Sequence, residues 1–227
     1  MNRKTDEELL KEIQKHTLGM EDTFSFECKQ CGDCCRKRSQ PVLLTGYDVY
    51  NIAKELNVGT AEVLMKYCTI IPGDTSGLPV VYLRERPDGS CSLLRKGLCT
   101  VQRNKPVVCR IFPIGRYYDG KEHRYFTQWE GSCIGTGQRE ITLKEWLDAF
   151  GVQELDEASE IWGKFIIAAS LYGQKIRAKA DREKYAEYFR DVGMALYVWY
   201  DMHLSVEDNM KRNIQKIEDK YKGFKVQ

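Results

Sequence analysis

The last third of the chain repeats its apolar residues every three to four positions. Leu143, Trp146, Leu147 and Phe150 form one stripe, and Leu155, Ala158, Trp162, Phe165, Ala169 and Tyr172 form the next. Tyr185, Phe189, Val192, Leu196, Trp199 and His203 make a third, and Met210, Ile214, Ile217 and Tyr221 a fourth. Residues three and four apart share one face of a helix, so each stripe predicts an amphipathic helix with its apolar side against a core. Thr142 with Glu145, and Ser205 with Asp208, place a hydroxyl at the N-cap and a carboxylate three residues on, the pairing that closes a helix start. Thr45 with Asp48 repeats it and opens a helix to about Leu56; Thr60 starts another that reaches Cys68. Thr5 to His16 reads as a further short helix, with Asp6, Glu7 and Glu8 in the first turn, where the helix dipole favours negative charge.

Between Pro72 and Gln138 the pattern changes to short apolar-aromatic runs divided by Gly, Pro and Asp: Val80 to Leu83, Pro87-Asp-Gly-Ser, Ile114 to Tyr118, Asp119-Gly120, and Tyr125 to Trp129. These are hairpin signals. The resulting expectation is an α+β fold, with a cysteine-rich region of short strands and helices packed on a helical C-terminal region. Residues 1–23 would carry the N-terminal helix, 24–140 the cysteine-rich region and 141–227 the helical region. No low-complexity linker or internal repeat separates them, so the last two can share one core.

Composition narrows the class. The 227 residues are 42% hydrophobic and 30% charged with a net charge of +2, which is ordinary for a globular protein and gives no global pull toward nucleic acid or an anionic membrane. No apolar stretch follows the charged start, and apolar runs such as Phe165 to Ala169 are far too short to span a bilayer. The expected compartment is the cytoplasm, where thiols stay reduced and a dense cysteine cluster is more often a metal site than a disulfide framework. Nine cysteines, an odd count, agree with that.

All nine lie between positions 28 and 133, and eight of them, leaving out Cys68, form the candidate set: Cys28, Cys31, Cys34 and Cys35 in one run, then Cys91, Cys99, Cys109 and Cys133. Two residues between cysteines let both sulfurs face one ion, and C-x2-C-x2-C is the spacing with which a ferredoxin loop grips three corners of a [4Fe-4S] cluster while a distant thiolate takes the fourth. Adjacent residues rarely turn both sulfurs to one tetrahedral ion, so Cys35 would serve another position. Eight thiolates equally satisfy two four-thiolate zinc sites. Residues 28–140 hold 17 Lys and Arg against 11 Asp and Glu, a cationic setting that eases thiolate charge; Arg36, Lys37, Arg38, Arg103, Lys105 and Arg110 fit that part. A nucleic-acid surface is the weaker reading of the same excess, because stacking aromatics do not interleave Arg36 to Arg38.

Other candidates are better read as structure. Cys68 ends an apolar stripe with Val63, Leu64 and Tyr67 and is expected in the core. His16, His123 and His203 share no ligand spacing, and His203 extends a helical stripe. Asp33 and Asp48 read as a turn residue and a cap, with acid-base work as the rival, and Gly135-Thr-Gly137 reads as a turn. No catalytic motif appears, so whether the chain is an enzyme stays open.

The run Cys28-x-x-Cys31-x-x-Cys34-Cys35, followed by Cys91, Cys99 and Cys109-Arg-Ile-Phe-Pro113, resembles the YkgJ-type cysteine-cluster family, CxxCxxCC. The likeness covers about residues 24–135. It departs at Arg103-Asn-Lys-Pro-Val-Val-Cys109, where residues stand between the arginine and proline of the family segment. The resemblance implies chelation of zinc or iron. A distant resemblance to flagellin lysine N-methylase, an iron-sulfur protein, adds modification of a protein or small-molecule substrate as an analogy, since shared motifs do not carry an activity with them. The expected role is therefore a metal-binding, iron-sulfur protein supporting such a modification; the alternative is a zinc-stabilised interaction module without catalysis.

Overall fold

The computed structural model describes residues 11, 13–36, 41–73, 77–119, 122–127, 135–152, 156–179 and 181–226. Most of the Thr5 to His16 helix, Leu155, Gly120 and Trp129 lie outside them; residues 13–15 are helical. The fold is α+β, with short antiparallel strands and a helical C-terminal region. The chain divides into two compact units that interleave in sequence: residues 1–39 with 107–153, and residues 40–106 with 154–227.

The first unit contains strands β1 (Thr17–Leu18) and β2 (Thr23–Phe26), the single-turn helix α1 (Asp33–Arg36), and a second short helix, Val107–Arg110. Strands β8 (Ile114–Tyr118), β9 (His123–Thr127) and β10 (Thr136–Thr142) and the helix Leu143–Ala149 complete it. The β8–β9 hairpin takes β1 on its free side, in the order β1-β9-β8, while β2 pairs antiparallel with β10. Thr142 ends β10 and caps the next helix: its hydroxyl accepts from the Glu145 amide at 3.1 Å, and the Glu145 carboxylate accepts from the Thr142 amide at 3.0 Å. That fixes the entry angle of Leu143, Trp146 and Leu147, which are buried with Phe26, Ile111, Ile114, Tyr125, Ile141 and Val152. Trp146 is the hub of this core. Its ring meets Phe24, Phe26 and Phe150 edge-on at 5.7, 5.5 and 4.8 Å, the geometry that ring quadrupoles favour. Its indole N–H donates to the Ile111 carbonyl at 2.8 Å.

The second unit holds β3 (Leu43–Leu44), the helices Gly46–Leu56 and Thr60–Tyr67, β4 (Cys68–Pro72) and β5 (Pro79–Leu83). The ribbon β6 (Leu94–Arg95) and β7 (Leu98–Cys99) follows, and the long helices Asp156–Ala178, Arg182–Tyr197 and Val206–Lys220 close the unit. The capping box at Thr45 is formed in full, and Asp48 is the buried cap its position suggested. Gly46 starts that helix hard against the helix Arg182–Tyr197: a Cβ there would stand 2.3 Å from the Leu196 carbonyl oxygen. Ser205 caps the last helix by accepting from the Asp208 amide at 3.0 Å.

Two expectations are corrected. The third stripe ends early: the helix stops at Tyr197, the Asp201 carboxylate accepts from the His203 amide at 2.9 Å, and His203 is exposed. An Asx turn of this kind competes with the helix for the backbone, so Trp199 and His203 belong to the connection. Val80 to Leu83 does form a strand, but it pairs back to Cys68–Pro72 rather than forward. The β-branched run Thr69-Ile70-Ile71 was the missed sign of that partner.

Candidate metal centre

The cysteines lie on three kinds of local structure. Glu27 to Gly32 is an extended loop broken by two residues in the left-handed region, Gln30 at φ 51° and Gly32 at φ 75°. Gly32 takes that conformation without steric cost. The chain then tightens into α1, with the Cys35 amide donating to the Gly32 carbonyl at 3.0 Å. Cys28 and Cys34 are exposed and Cys31 and Cys35 half-buried, so this run is not a set of core thiols. Asp33 opens the helical turn, and Arg36 donates to the Cys31 carbonyl at 2.7 Å while standing 4.0 Å from the Asp33 carboxylate. Arg36 thus braces the loop's backbone.

Cys109 reaches the same core from the far end of the unit. It sits half-buried on Val107–Arg110, followed by Ile111, which is fully buried, and by Phe112 with its cis bond to Pro113. Phe112 packs edge-on against Phe26 at 5.8 Å. Phe26 stands two residues before Cys28 and Phe112 three after Cys109, so one aromatic contact anchors both cysteine segments. Arg110 donates to the Phe150 carbonyl at 3.4 Å and so ties its helix to the same body.

Cys91 and Cys99 belong to the second unit. Cys91 is buried, bridges to Glu85 across the Pro87-Asp-Gly-Ser turn, and accepts at its sulfur from the Leu93 amide at 3.4 Å. Cys99 lies on β7 opposite Leu94, in a ribbon whose two-residue turn, Lys96 at φ 47° and Gly97 at φ 83°, suits the strand twist. Burial raises the Cys99 thiol above its ordinary pKa; the Val101 amide and the Lys105 charge oppose the rise, and Cys91 and Glu55 add to it. Of the cations proposed to ease thiolate charge, Lys105 acts in that sense on Cys99. Arg103 instead donates its amide to Glu55. Lys37, Arg38 and Cys133 lie outside the described residues.

Cys68 is 1% exposed, and burial pushes its thiol up to about 12, with the Arg84 charge pulling weakly the other way. It is a core residue, as expected.

The donor chemistry fits a thiophilic metal: soft thiolates suit zinc and iron-sulfur clusters, and the loop offers them near the surface. Among the described residues, no three Cys, His, Asp or Glu side chains stand together as a metal-holding group.

A family model described as "CxxCxxCC: Putative zinc- or iron-chelating domain" matches residues 27–134. The matched region is a little under half of the chain. Metal binding is the general role that this match supports. The matched residues come from both units, from the Cys28 loop through the Cys91 and Cys99 ribbon to the Cys109 turn. No curated protein and no solved structure matches the chain. No described helix is long and apolar enough to cross a membrane.

Proposed function

We propose that the first unit holds an iron-sulfur cluster, with Cys28, Cys31 and Cys34 as three of its ligands and Cys109 as the fourth. The observation that carries this is the Phe26–Phe112 contact, which brings the C-x2-C-x2-C loop and a sequence-distant cysteine onto one core. Three thiolates from a tight loop and one from elsewhere is the division a [4Fe-4S] cluster uses. Cys35, Cys133 and the Cys91–Cys99 pair remain as ligands for further metal. When bound, such a cluster supplies one-electron chemistry; the protein's part is to hold the thiolates, brace the loop through Arg36, and keep the apolar core behind it. The division into an N-terminal helix, a metal-binding region and a helical region is retained as a functional organisation, the middle region bearing the ligands. A role in modifying a protein or small-molecule substrate would build on this centre.

Protein purified without oxygen and analysed for metal tests the reading. Iron with acid-labile sulfide and broad absorbance near about 400 nm is expected. Stoichiometric zinc without iron would replace it with a zinc-stabilised module.

A further inference from the structure

Among the described residues, the sheet of the second unit ends on β4, whose one edge-blunting residue is Pro72. Among the described residues β4 pairs with β5 alone, in the order β3-β5-β4, so its outer edge presents unpaired backbone groups. Soluble proteins usually protect such an edge with lysine, a bulge or a covering element. The sequence here is Cys-Thr-Ile-Ile-Pro, with no charge, and Ile70 and Ile71 are 51% and 43% exposed. Ile70 lies opposite Val81, which is fully buried. The core side of the sheet therefore runs out at Ile70 for lack of a further strand. Ile71 points to the other face, so one added strand would cover apolar surface on both sides.

At the Pro72 end the edge leads to an open depression, called the cavity below, lined by Pro72, Gly73, Gly77, Arg177, Tyr185 and Phe189. Tyr185 donates to the Gly77 carbonyl at 3.3 Å, and the Arg177 guanidinium lies 5.7 Å from the centre of the Tyr185 ring. An arginine held on an aromatic face keeps its planar N–H fork for a carboxylate. Around it the chain from 175 to 184 carries Lys175, Arg177, Lys179, Arg182 and Lys184 against Asp181 and Glu183.

We infer that β4 and this cavity form a docking site for an extended acidic peptide of a partner protein. Apolar side chains of the peptide cover Ile70 and Ile71, its backbone pairs with β4, and an Asp or Glu side chain enters the cavity to meet Arg177. A second copy of the chain is a poorer occupant. Antiparallel pairing of two β4 strands would set the Cys68 end of one, where Arg84 donates to the Cys68 carbonyl, beside the Arg177 end of the other, cation against cation. The inference is independent of the metal centre, since none of its residues is a proposed ligand.

A displayed library of random eight-residue peptides panned against the full-length protein tests it, with fluorescence anisotropy on the peptides recovered. The expected peptides alternate β-branched residues and end in Asp or Glu. Their affinity should fall at least tenfold with Ile70→Lys and with Arg177→Glu, and only a few-fold with Arg177→Lys. Both positions are exposed, and unchanged circular dichroism melting checks that the variants fold. No enrichment, or binding indifferent to both Ile70→Lys and Arg177→Glu, overturns the site. Dimerisation in sedimentation that Ile70→Lys abolishes, without peptide binding, overturns the occupant.

Discussion

Replacing Trp146 gives the most direct test of how the apolar core supports the cysteine loop. The ring is buried against Phe24, Phe26 and Phe150, and its N–H holds the carbonyl of Ile111, two residues past Cys109. Trp146→Phe removes the donor but keeps most of the ring packing. The Ile111 carbonyl still accepts from the Ile114 amide at 2.9 Å, so it is not orphaned, and the lost bond costs about 0.5–1.5 kcal/mol. Trp146→Ala empties the hub and costs about 3–5 kcal/mol, a loss of roughly two to three and a half powers of ten in the folding constant. Urea unfolding followed by near-ultraviolet circular dichroism, with metal content measured on the same preparations, reads both effects. Trp146→Phe should keep its metal, whereas Trp146→Ala should lose metal along with stability, because ligand thiols on an unfolded anchor must close at the expense of binding energy. A cost below about 1 kcal/mol for Trp146→Ala would refute the assignment of this residue as the hub. Full metal content in an alanine variant destabilised as expected would refute the link from core to loop.

Three other outcomes follow from the same structure. Cys109→Ser should lower the metal-to-protein ratio, while Cys68→Ala should leave it unchanged and cost a packing loss of about 1 kcal/mol; equal metal loss in both would show the ligand set to be misassigned. Cys68 in the folded protein should also resist iodoacetamide at pH 8, since burial holds its thiol up to about 12; mass spectrometry showing prompt labelling without unfolding would contradict that burial. Asp191 is buried, which would raise its pKa, but hydrogen bonds from Lys220 and Tyr221 and the charges of Lys220 and Arg190 outweigh burial and hold it below the ordinary carboxylate value. Its folded pKa is the lower one, so its contribution is present above the unfolded value of about 3.9 and is lost as pH falls through the folded value. Asp191→Asn should therefore reduce stability at pH 7 and flatten its decline below about pH 4 in urea titrations; an unchanged acid limb would remove Asp191 from the account.

The helices and their starts were legible because they rest on local chemistry. Thr45, Thr142 and Ser205 cap where their sequences place them, since an N-cap bond joins residues three apart and needs no partner from elsewhere. The turn of Lys96 and Gly97 and the edge strand β4 were not read. The first lacks an Asn or Asp before its glycine, and the second continues the apolar texture of the helix before it. His203 fitted a helical period, yet Asp201 took its backbone amide. At the candidate centre the spacing singled out which cysteines differ from Cys68, and burial agrees for Cys68 itself. Spacing could not show that Cys28 and Cys109 leave the same aromatic pair, because Phe26 and Phe112 are ordinary apolar residues until the fold brings them together.

The interleaving of the two units has a consequence for how the chain is made. The core of the first unit needs Leu143, Trp146, Leu147 and Val152, and the second needs helices that end near Lys220. Every cysteine has left the ribosome before either core can close. Elongation at about 5–20 residues per second leaves those thiols unsheltered for roughly 5–20 s while the C-terminal segments are still being synthesised. Cell-free synthesis under an oxidant pulse confined to that interval should damage the protein far more than the same pulse after release, which makes the order of the chain itself a determinant of whether the metal loop is ever filled.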